Sequence, residues 1–418
     1  MAPVSLLIVG AGGRGFDYAR YVRDHPDEAK IVGVAEPRDP YRNRMAEEHG
    51  IRAENVFTDW RAAAERERLA DAVVIATPDR LHADPAVAFA ERGYAMLLEK
   101  PIAPSEADCR RVVEAVRRHG IIFSVCHVLR YTRYTRVLKQ MLDDGAVGDI
   151  VSVQHLENVG WWHQAHAFVR GFWRNEAESS FMLLSKSCHD LDWIRYVLGV
   201  PCRKVSSFGS LKHFRKAEKP PEAGEAKRCV DCAYEDRCPY SAKKIYLTGI
   251  RDERPNWPSA TLTPQWSVAN VTRAVEVGPW GRCVYECDND VVDHQVVILE
   301  FDGGRTASFT MTAFNAGGHR KTRIFGTRGE IYGDGSNLDH FDFLTRQRRT
   351  IDTEATDGTI AGGHGGGDEG LMASFLGAVA RGEPSLILSG PDETLESHRI
   401  VFAAERARRE DRVVHLAD

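Results

Sequence analysis

The chain has 418 residues, 43% apolar and 28% charged, a composition that excludes wholesale disorder, collagen and extended coiled coil and suits two or three globular domains. Lys plus Arg number 55 against 60 Asp plus Glu, a formal charge of −5, so no global footprint points to nucleic acid or an anionic membrane. The apolar stretch 6–9 has no basic leader, and no stretch approaches the ~20 apolar residues of a membrane span, so a cytoplasmic protein is expected.

In chain order, residues 1–126 alternate short β-branched apolar runs at 5–9, 31–35, 72–76, 95–98 and 121–125 with helical patterns at 16–24, 40–49, 85–92 and 105–119. That grammar predicts a doubly wound parallel sheet with crossover helices on both faces. From 127 to 418 longer alternating runs at 150–159, 202–211, 292–301, 306–314 and 322–325 predict an α+β domain on a large open antiparallel sheet. Helices are expected there at 185–198, 371–381 and 392–409. The stretches 212–264 and 334–370, the second ending in the glycine run 362–367, read as long excursions over the surface or the site. Among the nine cysteines, Cys109, Cys126 and Cys188 sit in apolar periodic stretches, so reduced thiols are expected rather than a disulfide framework.

Directly after the first strand stands Gly10-Ala11-Gly12-Gly13-Arg14-Gly15, a GxGxxG pattern opening a helix. Glycines there let the backbone approach a pyrophosphate, and the N–H groups of the helix start favour its charge. Glu36 ends the second strand about 20 residues on. A carboxylate at that place accepts ribose hydroxyls and repels a 2′-phosphate, so NAD is favoured over NADP, while Arg38 either stacks on adenine or tolerates a phosphate. The fourth internal run ends in Glu99-Lys100-Pro101. Strand ends on the carboxyl side face the ligand crevice, so Lys100 is a candidate to hydrogen-bond a substrate hydroxyl and lower its pKa.

With GAGGRG at 10–15, VIATPDRLH at 74–82, LLEKPIA at 97–103 and GTRGE at 326–330, the sequence resembles the Gfo/Idh/MocA family of oxidoreductases over nearly its whole length. The resemblance implies an N-terminal Rossmann domain and a C-terminal domain built on an open sheet that forms a homodimer or homotetramer interface. It also implies hydride exchange between NAD(P) and a sugar or cyclitol, and it brings Thr77, Pro78, His82 and Glu99 to the cofactor site.

Helical spacing over 185–198 puts Lys186, His189, Asp190 and Trp193 on one face and Leu184, Cys188, Leu191 and Leu198 on the other. Relatives place a catalytic His on this helix, and His189 with Asp192 matches their HxxD spacing. Ser185 stands where many members carry Asp, which leaves the base open: His189 first, with Lys186 and Lys100 as partners, or Lys100 itself. Trp162, His163, His166 and Arg170 follow a strand and mix aromatic faces with cations, as sugar sites do. Arg130, Trp162, His163, His166, Arg170 and Asp190 are candidate substrate contacts, and convergence of Arg130, Arg133, Arg170, Arg174, Lys186 and the two histidines on one crevice would suit an anionic sugar. Cys229, Cys232 and Cys238 have a zinc-like spacing, and a structural zinc would need a fourth ligand from His213, Cys202, Cys283 or Cys287. Asp288, Asp290, Asp293 and His294 form a further polar run at a strand start.

Three readings result. One is an NAD-dependent sugar or cyclitol dehydrogenase. Another is an NAD-dependent glycoside hydrolase that oxidises C3, eliminates the aglycon, adds water and reduces the ketone. The third is a non-catalytic NAD-binding regulator.

Overall fold

A computed structural model describes residues 2–353 and 365–416. Its first sheet contains β1 (Val4–Val9), β2 (Ala29–Ala35), β3 (Val56–Phe57), β4 (Ala72–Ile75), β5 (Ala95–Leu98) and β6 (Phe123–Val125), all parallel in the order β3-β2-β1-β4-β5-β6. The two-residue β3 is too short to signal itself by periodicity. Register sets Val9 beside Ala35 and Ile75, and Ile75 beside Leu98. Gly10, Glu36, Thr77 and Lys100 therefore emerge along one carboxyl rim of the sheet. β4 and β5 are wholly buried, as strands covered on both faces must be.

One of those covers comes from the far end of the chain. Helix Gly367–Arg381 packs Leu371, Met372, Phe375 and Leu376 against Leu6, Ile8 and Val74 of the first sheet. Its approach is close, since a Cβ added at Gly367 would stand 2.5 Å from the Val128 carbonyl oxygen.

The second sheet contains β7 (Ile150–Asn158), β8 (Cys202–Ser210), β9 (His294–Phe301), β10 (Thr306–Thr312), β11 (Lys321–Gly326), β12 (Gly329–Gly333), β13 (Asn337–Asp342), β14 (Arg348–Asp352) and β15 (Val414–His415), in the order β14-β13-β12-β11-β7-β10-β9-β8-β15. It is mixed rather than wholly antiparallel, because β7 and β10 pair in parallel. Neighbouring strands distant in sequence can run either way, and alternation of side chains carries no direction. Helices Cys188–Leu198 and Pro391–Glu410 cover its inner face. Phe208, Ile298, Val151 and Tyr332 stay exposed.

Both expected excursions contain structure. Residues 334–353 carry the hairpin β13–β14; of the glycine run, 362–364 lie outside the described residues. Residues 212–290 fold on two small cores, one around Tyr246, Val271, Val275 and Trp280, the other around Phe214, Tyr240 and Tyr285.

Candidate functional site

The turn after β1 forms a cradle at the sheet rim. Gly10 has φ +93°, and a Cβ there would stand 2.6 Å from Ala76 O; a Cβ on Gly15 would stand 2.2 Å from Gly10 O. Both positions demand glycine. A Cβ on Gly13, by contrast, would meet nothing within 4 Å. With Gly12 as N-cap and no side chain capping helix Gly13–Asp24, its first N–H groups offer an anion site. Those features fit the pyrophosphate of a dinucleotide.

Glu36 is buried at the end of β2. Its carboxylate accepts the Ala11 N–H (2.9 Å), the Arg38 N–H (2.9 Å) and the Arg38 guanidinium at Nε (2.7 Å) and Nη2 (2.9 Å). Burial pushes its pKa up, but these donors outweigh burial and hold it below the usual glutamate range. Arg38 itself is half-exposed and lies 4.1 Å over the Tyr41 ring.

Arg14 leaves the cradle to pair with Glu99 (2.6 Å) and Asp368 (2.5 Å), the second an acid from the helix that covers the first sheet. Glu99 is buried and also accepts the Tyr18 hydroxyl and the Lys100 N–H. It thus anchors the loop behind Lys100. His82 is buried, its ring nitrogens each 2.7 Å from the carbonyl oxygens of Thr77 and Pro101. That geometry ties the loops after β4 and β5 together, with Thr77 and Pro78 on the rim.

Lys100 Nζ donates to Ser185 O at 2.6 Å, four residues before His189. The expected single helix is broken here. A short helix Met182–Ser185 ends at Lys186, and a second begins at Cys188. Because the helical register is interrupted, Lys186, His189 and Asp190 do not share the continuous face that spacing implies. Lys186 instead pairs with Glu157 (2.9 Å), which also meets Arg320 at 3.1 Å. Asp190 is fully buried, held by Arg320 (2.6 Å) and His155 (3.1 Å). Both of its carboxylate oxygens are thus engaged by protein partners. Glu157, His155 and Arg320 were missed at the sequence level. The available signal was charge at inward positions of β7, where residues 153, 155 and 157 share the buried face.

His189 is buried at the first turn of its helix, edge-on to His127 with ring centroids 5.6 Å apart. His127 is wholly buried and lies 3.7 Å from Asp192; burial holds it down to about 3, against the upward pull of Asp192.

Two expected substrate arginines have other work. Arg130 makes a two-pronged pair with Asp192 (2.7 Å each) and donates to Leu388 O. Arg170 donates to Arg282 O (2.7 Å), Tyr240 O (2.8 Å) and Cys229 Sγ (3.5 Å). Both are buried, and each guanidinium bridges chain segments inside a core through its planar fork of donors. His166 is also buried, stacked 4.9 Å from Trp280, whereas His163 and Trp162 are partly buried and pack against Trp257.

Among the described residues no group of three or more His, Cys, Asp or Glu is placed to hold a metal, Cys229, Cys232 and Cys238 included. The Cys229 thiol accepts the Ala242 N–H and the Arg170 guanidinium, so a buried cation already stands where the expected zinc would bring its charge. Among the described residues no helix is long and apolar enough to cross a membrane.

Residues 4–127 match a model described as an oxidoreductase family with an NAD-binding Rossmann fold, and residues 139–416 match that family's C-terminal alpha/beta domain. A 2,7-anhydro-N-acetylneuraminate hydratase from Mediterraneibacter gnavus is 31% identical over 214 residues, 51% of this chain and 54% of the relative. The NAD(+)-dependent scyllo-inositol 2-dehydrogenase of Bacillus subtilis is 26% identical over 216 residues, 50% of this chain and 58% of the relative. The chain spans about half the length of these curated relatives. A levoglucosan dehydrogenase solved with NADH and levoglucosan shares the fold, with TM-score 0.72 and 20% identity over 100% of both chains. With both matched segments in order along one chain, the protein belongs to the Gfo/Idh/MocA oxidoreductase family.

Proposed function

We propose that this protein is an NAD-dependent oxidoreductase that exchanges a hydride with a hydroxyl-bearing carbon of a sugar or cyclitol. The observation that carries the reading is the placement of Lys100: its Nζ extends from the dinucleotide rim to Ser185 O, beside the helix that bears His189. In this reading residues 1–126 hold the cofactor and 127–418 hold substrate. Gly10, Gly12, Gly13, Gly15 and the helix start cradle the pyrophosphate, Arg14 is steered aside by Glu99 and Asp368, and Glu36 takes the adenosine ribose. The bound nicotinamide supplies the hydride acceptor. Lys100 donates an N–H to the reacting oxygen and stabilises negative charge there. His189 accepts the hydroxyl proton, and Asp190, fixed by Arg320 and His155, orients the first turn that carries it. Lys186 stands close by on Glu157, whose negative charge offsets it, so the cations do not sum to a strong anion site.

A second reading, redox-neutral turnover through transient oxidation, draws support from the hydratase relative, since hydration has no net redox change. One screen separates the two. Sugars, cyclitols and aryl glycosides are supplied with and without NAD, and absorbance at 340 nm and released aglycon are followed together. NADH accumulation without aglycon release supports the dehydrogenase. Aglycon release that requires NAD without accumulating NADH supports the second reading, and silence in both channels despite NAD binding overturns both.

The cofactor is NAD rather than NADP, because Glu36 keeps its negative charge where a 2′-phosphate would stand. With NAD held there, Glu36 would accept its ribose hydroxyls in place of the half-exposed Arg38 guanidinium. Glu36→Ala is expected to raise the KM for NAD by about ten- to a hundredfold, the cost of losing hydrogen bonds to a charged acceptor, and to raise kcat/KM for NADP. Steady-state kinetics with both cofactors checks this; a preference for NAD left intact overturns the assignment.

The protein is cytoplasmic and forms a homodimer or homotetramer through the outer face of the second sheet. Support comes from Phe208 and Ile298, 62% and 45% exposed on the adjacent strands β8 and β9, since exposed apolar side chains grouped on one face mark association surfaces. The Phe208→Asp, Ile298→Asp double variant is expected to run as a monomer in size-exclusion light scattering. An unchanged mass would move the interface elsewhere.

A further inference from the structure

Beside the reaction centre the protein carries a row of six aromatic rings. Trp162, His163, His166 and Phe172 come from residues 161–172, and Trp257 and Trp280 from residues 212–290. His163 feels the charges of Lys186 and Lys100, and its ring lies 5.1 Å from the indole of Trp257. Trp162 meets the same indole edge-on at 4.9 Å. Beyond them His166 faces Trp257 at 5.8 Å and stacks on Trp280, which Phe172 meets edge-on at 6.1 Å.

Burial explains the inner part of this row but not its outer part. Trp280 is covered, yet Trp257 remains 52% and Phe172 70% exposed. An indole packed at steep interplanar angles against three neighbouring rings, with about half its surface in water, can serve as a platform for a flat apolar face. The C–H face of a pyranose is such a face, and His163 within the row can hydrogen-bond its hydroxyls, while His166, buried with its ring nitrogens on the Tyr246 and Thr261 hydroxyls, backs the row. Burial lowers His163 and His166, the latter to about 4, so near neutrality this wall presents neutral imidazoles. The row suits a neutral ring better than an acidic one.

Resting on the dehydrogenase or redox-neutral reading above, we propose that Trp257 and its neighbours form a subsite for a second ring attached to the reacting sugar. The substrate is then a glycoside rather than a free monosaccharide or cyclitol. A single ring at Lys100 and His189 would leave the outer platform bare, whereas a glycosidic substituent leaving the reaction centre passes along it.

The test measures binding by calorimetry to the full chain saturated with NADH. Probes are myo-inositol, glucose, glucuronate, and the phenyl and methyl glycosides of both sugars. In the wild-type protein a phenyl glycoside should bind more tightly than its methyl glycoside or the free sugar. Trp257→Ala should weaken the phenyl glycoside by about three- to tenfold, the range of one aromatic stacking contact, and leave the free sugar unchanged. Trp257→Phe should restore most of the loss, which separates stacking from a general disturbance of the excursion. Equal binding of glycoside and free sugar, or equal losses on both in Trp257→Ala, would overturn the subsite while leaving the proposed activity standing. If no sugar or cyclitol in the panel binds, the subsite and the functional reading fall together.

Discussion

Replacing Lys100 with methionine is expected to lower turnover by about 10²–10³-fold, the usual cost of deleting one donor aimed at developing negative charge, while dinucleotide affinity is preserved. Among the described residues its Nζ makes one hydrogen bond, to Ser185 O, although an ammonium has three donors. That single bond fixes direction and leaves donors for a substrate oxygen. The proposed dinucleotide contacts lie elsewhere, on the turn after β1 and on Glu36, so NADH binding measured by fluorescence serves as the internal control. The loss should appear in kcat more than in KM, because the contact strengthens as the oxygen gains charge. A fall in kcat below about fivefold, with NADH binding intact, would show that Lys100 does not touch the reacting oxygen. Loss of NADH binding would instead make it a cofactor residue.

The largest stability effect is expected at Arg130. Arg130→Leu leaves the fully buried Asp192 without its two-pronged partner, with only the Ser397 hydroxyl at 2.8 Å still donating to it, and an uncompensated buried charge costs about 3–5 kcal/mol. Burial pushes the Asp192 carboxyl up, but Arg130, His127 and Ser397 together hold it below the ordinary aspartate value. In the native protein this group therefore contributes stability that is complete above the unfolded pKa and lost as pH falls through the lower folded one. Without Arg130 the balance reverses. Burial then raises the folded pKa, protonation favours the folded state, and the stability gap between variant and native protein narrows on acidification from neutral toward about pH 4. Urea midpoints at the two pH values measure this. A gap that is small at neutral pH, or one that widens in acid, contradicts the account. The double variant Arg130→Met, Asp192→Leu should recover much of the loss, since removing both charges leaves nothing buried and unpaired.

These two cations sat together among the sequence candidates and separate only in three dimensions. Lys100 was readable from its place at a strand end, a position that faces the crevice in every doubly wound sheet. Arg130 and Arg170 carried no comparable positional rule. An arginine after a strand is as compatible with solvent, substrate or core, and only the packed structure brings Asp192 to one and the Tyr240 and Arg282 carbonyls to the other. Cys229, Cys232 and Cys238 were ambiguous for a related reason, because spacing along the chain counts thiols but not the guanidinium that lies beside Cys229.

What the sequence determined by itself was local and periodic. Apolar runs separated by helical spacing specified the parallel sheet, the glycines at 10 and 15 specified a turn that no side chain fits, and Glu36 and Lys100 followed from their distances to strand ends. Tertiary structure alone decided what depends on contacts between distant segments. It brought the helix Gly367–Arg381 onto the first sheet, paired β7 with β10 in parallel, broke the helix before His189, joined the buried Glu157 to Arg320 and Lys186, and packed Trp257 against His163. Periodicity reports which face of an element is apolar, but not which element will cover it, and a charge becomes structural or available only when that cover is in place.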